Sequence, residues 1–180
     1  DHNLFTELAE VGFRRSGNYL YRPHCRQCSA CIPVRIPVEQ YQFSRKHKRI
    51  WNKNQDLTIQ RVEAVFKDEH YDLYARYIEE KHNDGDMYPP TPEQYESFLL
   101  SDWGNTCFYE FRDQDNKLVA VAVTDVMENG LSAVYTFYCT QNAKRSLGVM
   151  AVLWQIKECR NRNLPALYLG YWIKDCQKMK

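Results

Sequence analysis

KLVAVAVTDVM (117–127), ENG (128–130) and LSAVYTFYC (131–139) follow one another without interruption. The two outer pieces are rich in Val, Ala, Tyr and Phe, and Glu-Asn-Gly between them is turn chemistry, so the stretch predicts a β-hairpin. TCFYEF (106–111) lies just upstream across a polar turn and adds a third consecutive antiparallel strand. Downstream, the loop TQNAKRS (140–146) leads into a helix, LGVMAVLWQIKECRNRN (147–163). Pro165 breaks that helix, and ALYLGYW (166–172) reads as a buried strand.

Working outward, LFTELAEV (4–11) patterns as a short amphipathic helix that Gly12 ends, and FRRSGNYLYR (13–22) as two strands around Ser16-Gly17-Asn18. IPVRIPV (32–38) alternates apolar and polar residues, but its two prolines restrict it to a sheet edge. DLTIQRVEA (56–64) predicts another strand. In DEHYDLYARYIEEK (68–81), Tyr71, Tyr74, Tyr77 and Ile78 fall at helical spacing, and Asn83-Asp84-Gly85 follows as a stop. Thr91 is placed to cap a second helix, PEQYESFLLS (92–101). The class is α+β, an antiparallel-rich sheet with flanking helices. The order strand–turn–strand–strand–loop–helix–strand resembles the acetyltransferase (GNAT) superfamily. This divides the chain into a smaller basic, Cys-containing N-terminal lobe (1–60) and a GNAT-like transferase lobe (61–180).

Charge supports that division. The net charge of the 180 residues is +1, yet residues 1–60 hold ten Lys/Arg against five Asp/Glu, whereas 61–180 hold 14 against 18. A polyanionic partner would favour the front lobe. The 13 tyrosines suit wet grooves and interfaces as well as strand surfaces. The sequence has no apolar run of bilayer length and no signal peptide, and its seven cysteines do not form the dense framework of a secreted mini-protein. A cytoplasmic protein with no membrane partner is expected. The chain opens without methionine and closes at CQKMK, as a piece of a longer protein would.

Four motifs carry chemistry. The loop–helix junction Lys144-Arg145-Ser146-Leu147-Gly148-Val149-Met150 would offer helix N-terminal N–H groups and cations to an anion or a developing oxyanion. It resembles the acetyltransferase pyrophosphate loop with its last small position replaced by Met150, which argues against ordinary coenzyme A binding. The run SRKHKRIWNK (44–53) places Arg45, Lys46, Lys48, Arg49 and Trp51 in a segment without an acid, suited either to a nucleic acid or to a solvated surface. Cys25, Cys28 and Cys31 supply three thiolates with turn spacing. With His24 beside them they could hold zinc or an iron–sulfur cluster, or form a loop of reduced thiols. Asp125, Glu110, Tyr135 and Tyr138 are candidate acid–base groups at the mouth of the sheet, or strand residues with no such role.

Together GFRRSG (12–17), YRPHCxxCxxCxPxR (21–35), FSRKHKR (43–49), YTFY (135–138), KRSLG (144–148) and LYLGYW (167–172) resemble the arginyl/leucyl-tRNA–protein transferases, more closely the bacterial aspartate/glutamate leucyltransferase branch. The likeness runs over nearly the whole chain. It implies an N-degron pathway enzyme that moves an amino acid from its tRNA to the α-amino group of a protein beginning with Asp or Glu, with no cofactor required for the transfer. The resemblance also implies family residues ahead of Asp1, some of them cysteine, and a tail after CQKMK. It would place Asp at position 139, where this chain has Cys. On this reading Arg145, Gly148, Asp125 and Tyr135 serve catalysis. Arg14, Arg15, Arg35, Tyr138, Tyr171 and Trp172 bind the substrates, and the 44–53 run with Lys144 binds tRNA. The alternatives are transfer of arginine, a non-catalytic zinc or RNA-binding module, and a small-molecule acetyltransferase.

Overall fold

The computed structural model describes residues 2–176. In chain order the elements are α1 (His2–Glu10), β1 (Arg14–Ser16), β2 (Tyr19–Tyr21), β3 (Ile32–Pro37), α2 (Arg45–Lys53), β4 (Thr58–Glu63), α3 (Asp68–Lys81) and α4 (Pro92–Leu99). Then come β5 (Thr106–Arg112), β6 (Leu118–Met127), β7 (Gly130–Tyr138), a 3₁₀ turn (Ala143–Arg145), α5 (Leu147–Asn161) and β8 (Ala166–Trp172). Six strands form one sheet in the order β3-β8-β7-β6-β5-β4, antiparallel throughout except for β7 and β8. The proline-bearing strand β3 is an edge, as its missing N–H donors require. The prolines at 33 and 37 therefore interrupt no central ladder.

Both sheet faces are covered, so the middle strands are apolar on each side. On one face Phe108, Val121, Val123 and Phe137 pack against Tyr74, Tyr77 and Ile78 of α3 and Tyr95 and Leu99 of α4. On the other, Tyr109, Phe111, Ala120 and Ala122 meet Ile50 of α2 and Leu147, Met150 and Leu153 of α5. Thr91 caps α4 by accepting from Gln94 N at 3.1 Å. The basic run 45–53, read from sequence only for its charge, is helical. Ser44 Oγ accepts from His47 N, and Ile50 turns inward while Arg45, Lys46, Lys48 and Arg49 stay exposed. Strands from both sides of residue 60 share the one sheet, β3 and β4 being its opposite edges.

Two bulges shape the sheet's most useful feature. β7 and β8 pair in parallel only from Gly130↔Ala166 to Ser132↔Tyr168. Immediately beyond, the register slips on both strands. Val134 is left unpaired opposite the Val123/Thr124 step of β6, and Leu169 opposite the Val34/Arg35 step of β3. Gly170 follows at φ +123°, a conformation that an L side chain rarely adopts. Bulges bend and twist strands, and from this point β7 and β8 diverge.

A buried ion pair ties the front hairpin to the sheet. Arg15 Nε and Nη2 donate to Asp125 at 2.6 and 3.0 Å, with side-chain exposures of 0% and 1%. Its remaining donors reach Gly17 O and Leu99 O, and Thr106 Oγ1 donates to Asp125 at 2.6 Å. At the hairpin tip Gly17 (φ +57°) donates its N–H to Phe98 O at 2.7 Å, and a Cβ there would sit 1.8 Å from Ser97 O. Truncating one partner of such a pair strands the other charge in the interior. Arg15→Ala or Asp125→Ala is therefore expected to lower unfolding free energy by about 3–5 kcal/mol, read as a shift in the urea midpoint. The apolar double replacement Arg15→Met/Asp125→Leu should cost less than the two single changes summed.

Candidate active site

Residues assigned to one site by the sequence separate into two groups. The first surrounds a cleft of about 460 Å³ at the C-terminal end of β7, lined by Lys81, Tyr138, Cys139, Thr140, Asn142, Ala143 and Ser146–Val149. Ser146, at the start of α5, adopts φ 51°, ψ 51°, and no side chain caps the helix. The first residues of α5, at the positive end of the helix dipole, thus line the cleft. Gly148 lies close under Tyr138: a Cβ there would be 3.1 Å from the ring. Tyr138 in turn packs on Tyr77, with ring centroids 4.8 Å apart. Lys81, the last residue of α3, also lines the cleft. Sequence reasoning missed it because only the packing of α3 on the sheet brings that helix end here.

Arg145 does not line this cleft. Its guanidinium forms a two-pronged pair with Asp56 at 2.8 and 2.6 Å, which lowers the Asp56 carboxyl and raises Arg145 from their ordinary values. The side chain expected to meet an anion is thus already paired with a carboxylate. Lys144 is exposed, and its carbonyl accepts from Lys53 Nζ at 3.0 Å. Trp51 is half-buried against the core under Lys157, whose Nζ lies 5.6 Å from the ring centroid, so it is not the open stacking surface expected.

The second group gathers around β8. Arg14 is buried, with its guanidinium 5.4 Å from the Tyr168 ring and 5.8 Å from that of Tyr171, and Arg35 lies 6.0 Å from Tyr168. Arg14 donates to the carbonyls of Ala9, Phe13 and Val34, and its Nε has no partner among the described residues. Burial lowers its pKa, against the pull of Tyr171, Tyr168 and Tyr21. Arg14 and Tyr21 line the narrow gap where β7 and β8 diverge. Tyr171 donates to Gly12 O and borders a second cavity of about 700 Å³ enclosed by the cysteine loop, and Trp172 is partly exposed at the strand end.

That cavity is walled by His24, Cys25, Cys28 and Cys31, and Cys25 and Cys28 face each other across a β-bridge. All three cysteines are free thiols, and among the described residues no three His, Cys, Asp or Glu side chains converge to hold a metal ion.

Several acid–base candidates are excluded by their surroundings. Arg15 and Asp125 are paired with each other in the interior, which leaves neither charge free in this arrangement. Tyr135 packs among Tyr74, Tyr77 and Phe98, and burial raises its pKa far from neutrality. Glu110 accepts from buried His70 at 2.6 Å and from Arg112 at 3.0 Å, and Arg112 also holds Glu69. Burial alone would raise the Glu110 carboxyl, but Arg112 and His70 outweigh it and hold it below its ordinary value.

Comparison with known proteins decides what kind of molecule this is. Residues 1–49 match the family model described as arginine-tRNA-protein transferase, N terminus, and residues 69–180 match its C-terminus counterpart. The chain belongs to the arginine-tRNA-protein transferase family. Its relatives include proteins named aspartate/glutamate leucyltransferase. The one from Pseudomonas fluorescens is 55% identical over 179 residues, covering 99% of this chain and 76% of the relative. That from Alcanivorax borkumensis is 57% identical over 176 residues, covering 98% and 72%. In fold, the transferase resembles L-PGS from Bacillus licheniformis, with a TM-score of 0.59 at 12% identity over 93% of this chain and 49% of that one. It also resembles the C-terminal domain of a lysylphosphatidylglycerol synthetase candidate from Agrobacterium fabrum, with a TM-score of 0.58 at 15% identity over 94% and 51%.

The Glu110 cluster makes a pH prediction. Burial lowers the His70 pKa, the hydrogen bond to Glu110 opposing it. Folded His70 therefore binds fewer protons than unfolded His70, so stability falls as pH drops below the ordinary imidazole value of 6.5. Glu110, depressed in the fold, adds a further loss in the acid range. Thermal melts should show Tm declining from about pH 6.5 downward, with His70→Gln removing the upper part of that decline.

Proposed function

We propose that this transferase carries leucine from leucyl-tRNA to the α-amino group of proteins that begin with Asp or Glu, on a GNAT-like lobe and within an N-degron pathway. One observation carries the reading: a track of positive charge that ends in a cleft without acids. Exposed Arg45, Lys46, Lys48 and Arg49 lie on α2, Lys53 reaches the Lys144 carbonyl, and the start of α5 and Lys81 line the cleft. A polyanion held on α2 by its phosphates would lead its end toward α5. The described lining contains Leu147, Val149 and Tyr138 and a lysine, but no Asp or Glu. That lining suits a leucyl side chain and repels an arginyl one.

The ester linking an amino acid to tRNA is already activated, so positioning and charge stabilisation supply most of the rate. The acceptor's neutral amine nitrogen attacks the ester carbonyl carbon, and the carbonyl electron pair moves to oxygen. The first N–H groups of α5, at Gly148 and its neighbours, stabilise that oxyanion. The ester C–O bond then breaks, and the departing ribose oxygen gains the proton that the amine gives up. The acceptor's carboxylate is read by arginine, Arg14 and Arg35 being the candidates around Tyr168. Arg14 suits this task because its described partners are carbonyls and aromatic faces, with no carboxylate neutralising it.

Incubating the protein with labelled leucyl-tRNA and peptides starting with Asp, Glu or Ala should label the first two only. Labelling from arginyl-tRNA instead, or no labelling from either donor, would overturn the assignment. For the track, reversing Arg45, Lys46, Lys48 and Arg49 to Glu should weaken tRNA binding and flatten its salt dependence, by about 0.9 in logarithmic slope for each phosphate no longer neutralised. Unchanged affinity in filter binding would remove α2 from the interface.

A further inference from the structure

The turn that ends the basic helix grips the turn that begins α5, and neither tRNA contact nor the chemistry of transfer requires that grip. Asn54 is buried at 1% exposure, and its amide donates to Ile50 O at 2.9 Å and to Arg145 O at 2.8 Å. Its Oδ1 accepts from Arg145 Nη1 at 3.2 Å. Asp56 takes both terminal nitrogens of Arg145, and Lys53 holds the Lys144 carbonyl. Five hydrogen bonds therefore run from residues 53–56 to residues 144–145, across about 90 residues of sequence.

The residue after this grip is Ser146, left-handed and not glycine. For a side chain with a Cβ that conformation costs on the order of 1 kcal/mol or more and persists only where the surroundings over-determine it. Ser146 also makes no capping hydrogen bond through its side chain. Its backbone N–H donates to Ala143 O in the preceding turn at 3.1 Å and its carbonyl accepts from Met150 N of α5 at 2.9 Å, and the preceding turn is itself held by Asn54 and Asp56. Release of the grip would let residue 146 relax and rotate the first amides of α5 away from the cleft.

We propose that Asn54 and Asp56 are positioning residues for transfer. Through Arg145 they keep Ser146 left-handed and the α5 amides aimed into the cleft, and they lock this amide cradle to helix α2 in one register. The cradle part rests on the geometry alone, and the kinetic part rests on the transferase reading given above. A tRNA bound on α2 and the oxyanion site at α5 then form one rigid unit, so that the ester arrives already aligned.

The test uses the whole protein, with Asp56→Ala, Asp56→Glu, Arg145→Lys and the double variant Asp56→Ala/Arg145→Ala. Hydrogen exchange by mass spectrometry should show faster exchange of the 143–150 segment in Asp56→Ala and Arg145→Lys, with protection returning in Asp56→Glu. At saturating leucyl-tRNA the transfer rate should fall about tenfold or more in Asp56→Ala, while the Kd for tRNA changes less than about twofold, because the phosphate-contacting face of α2 is untouched. The double variant should be no slower than either single one, since the pair acts as a unit. Unchanged exchange in the 143–150 segment overturns the proposal. So does a rate loss matched by an equal loss of tRNA affinity, or additive losses in the double variant. If wild-type protein transfers nothing yet the segment's exchange responds, the functional reading fails and the positioning device stands.

Discussion

Arg15 and Asp125 set the geometry around which the rest of the molecule is arranged. Two opposite charges removed from water must meet in a fixed orientation, and here that orientation is defined by four partners on the hairpin, α4, β5 and β6. Successive strand residues point to opposite sides. With Arg15 committed inward to Asp125, its neighbour Arg14 is turned toward Tyr168 and Tyr171. One ion pair thus anchors the front of the chain and aims a second guanidinium, free of any described carboxylate, at the gap between β7 and β8. The buried pair supplies placement, and the cation beside it is left available.

The two sets of cations differ in a way that suits two different anions. Those on α2 are exposed, on long side chains, and able to follow a flexible phosphate chain at little cost in rigidity. Near β8, Arg14 is braced by carbonyls and aromatic faces and Arg35 lies over Tyr168, each with a planar fork that matches a single carboxylate. The cleft at α5 is separate from both, and on the proposed reading it offers backbone amides where negative charge would develop during acyl transfer. The fold resemblance to L-PGS, at 12% identity, shows that this sheet-and-helix frame persists when nearly all side chains are replaced.

Much of the frame was legible because its signals are local. The Val-, Ala-, Tyr- and Phe-rich pieces of 117–139, the turn at Glu-Asn-Gly, Pro165 and the Thr91 cap each act within a few residues, and all correspond to observed elements. The prolines of β3 marked an edge for a reason that needs no tertiary knowledge. Helix α2 was missed since RKHKRIWNK has almost no apolar face. Its helicity depends on the Ser44 cap, a visible cue that went unused, and on Ile50 and Trp51 docking against distant core. The site was legible only as a set of blocks. Gly148 and Tyr138 do share the cleft, but Arg145 was misread. Its partner Asp56 lies 89 residues away, and nothing in KRSLG reveals that its charge is already paired. Asp125 failed likewise, because burial of a carboxylate is a property of the packed sheet. The paired bulges at Val134 and Leu169 are shifts of register between strands, which no single strand encodes.

The position of β8 has a consequence for how the molecule comes into being. The strand lies between β3 on one side and β7 on the other, yet among the described residues it is the last strand in sequence, whereas β3 is the first of that sheet. During synthesis β3 must therefore wait, its ladder partner absent, until more than 130 further residues have left the ribosome. Throughout that interval the hairpin β1–β2 can already form, but its arginine has no Asp125 to meet until β6 has also emerged. The front of the chain is thus a guest among strands made later, and β8 joins it to β7 when it pairs with both.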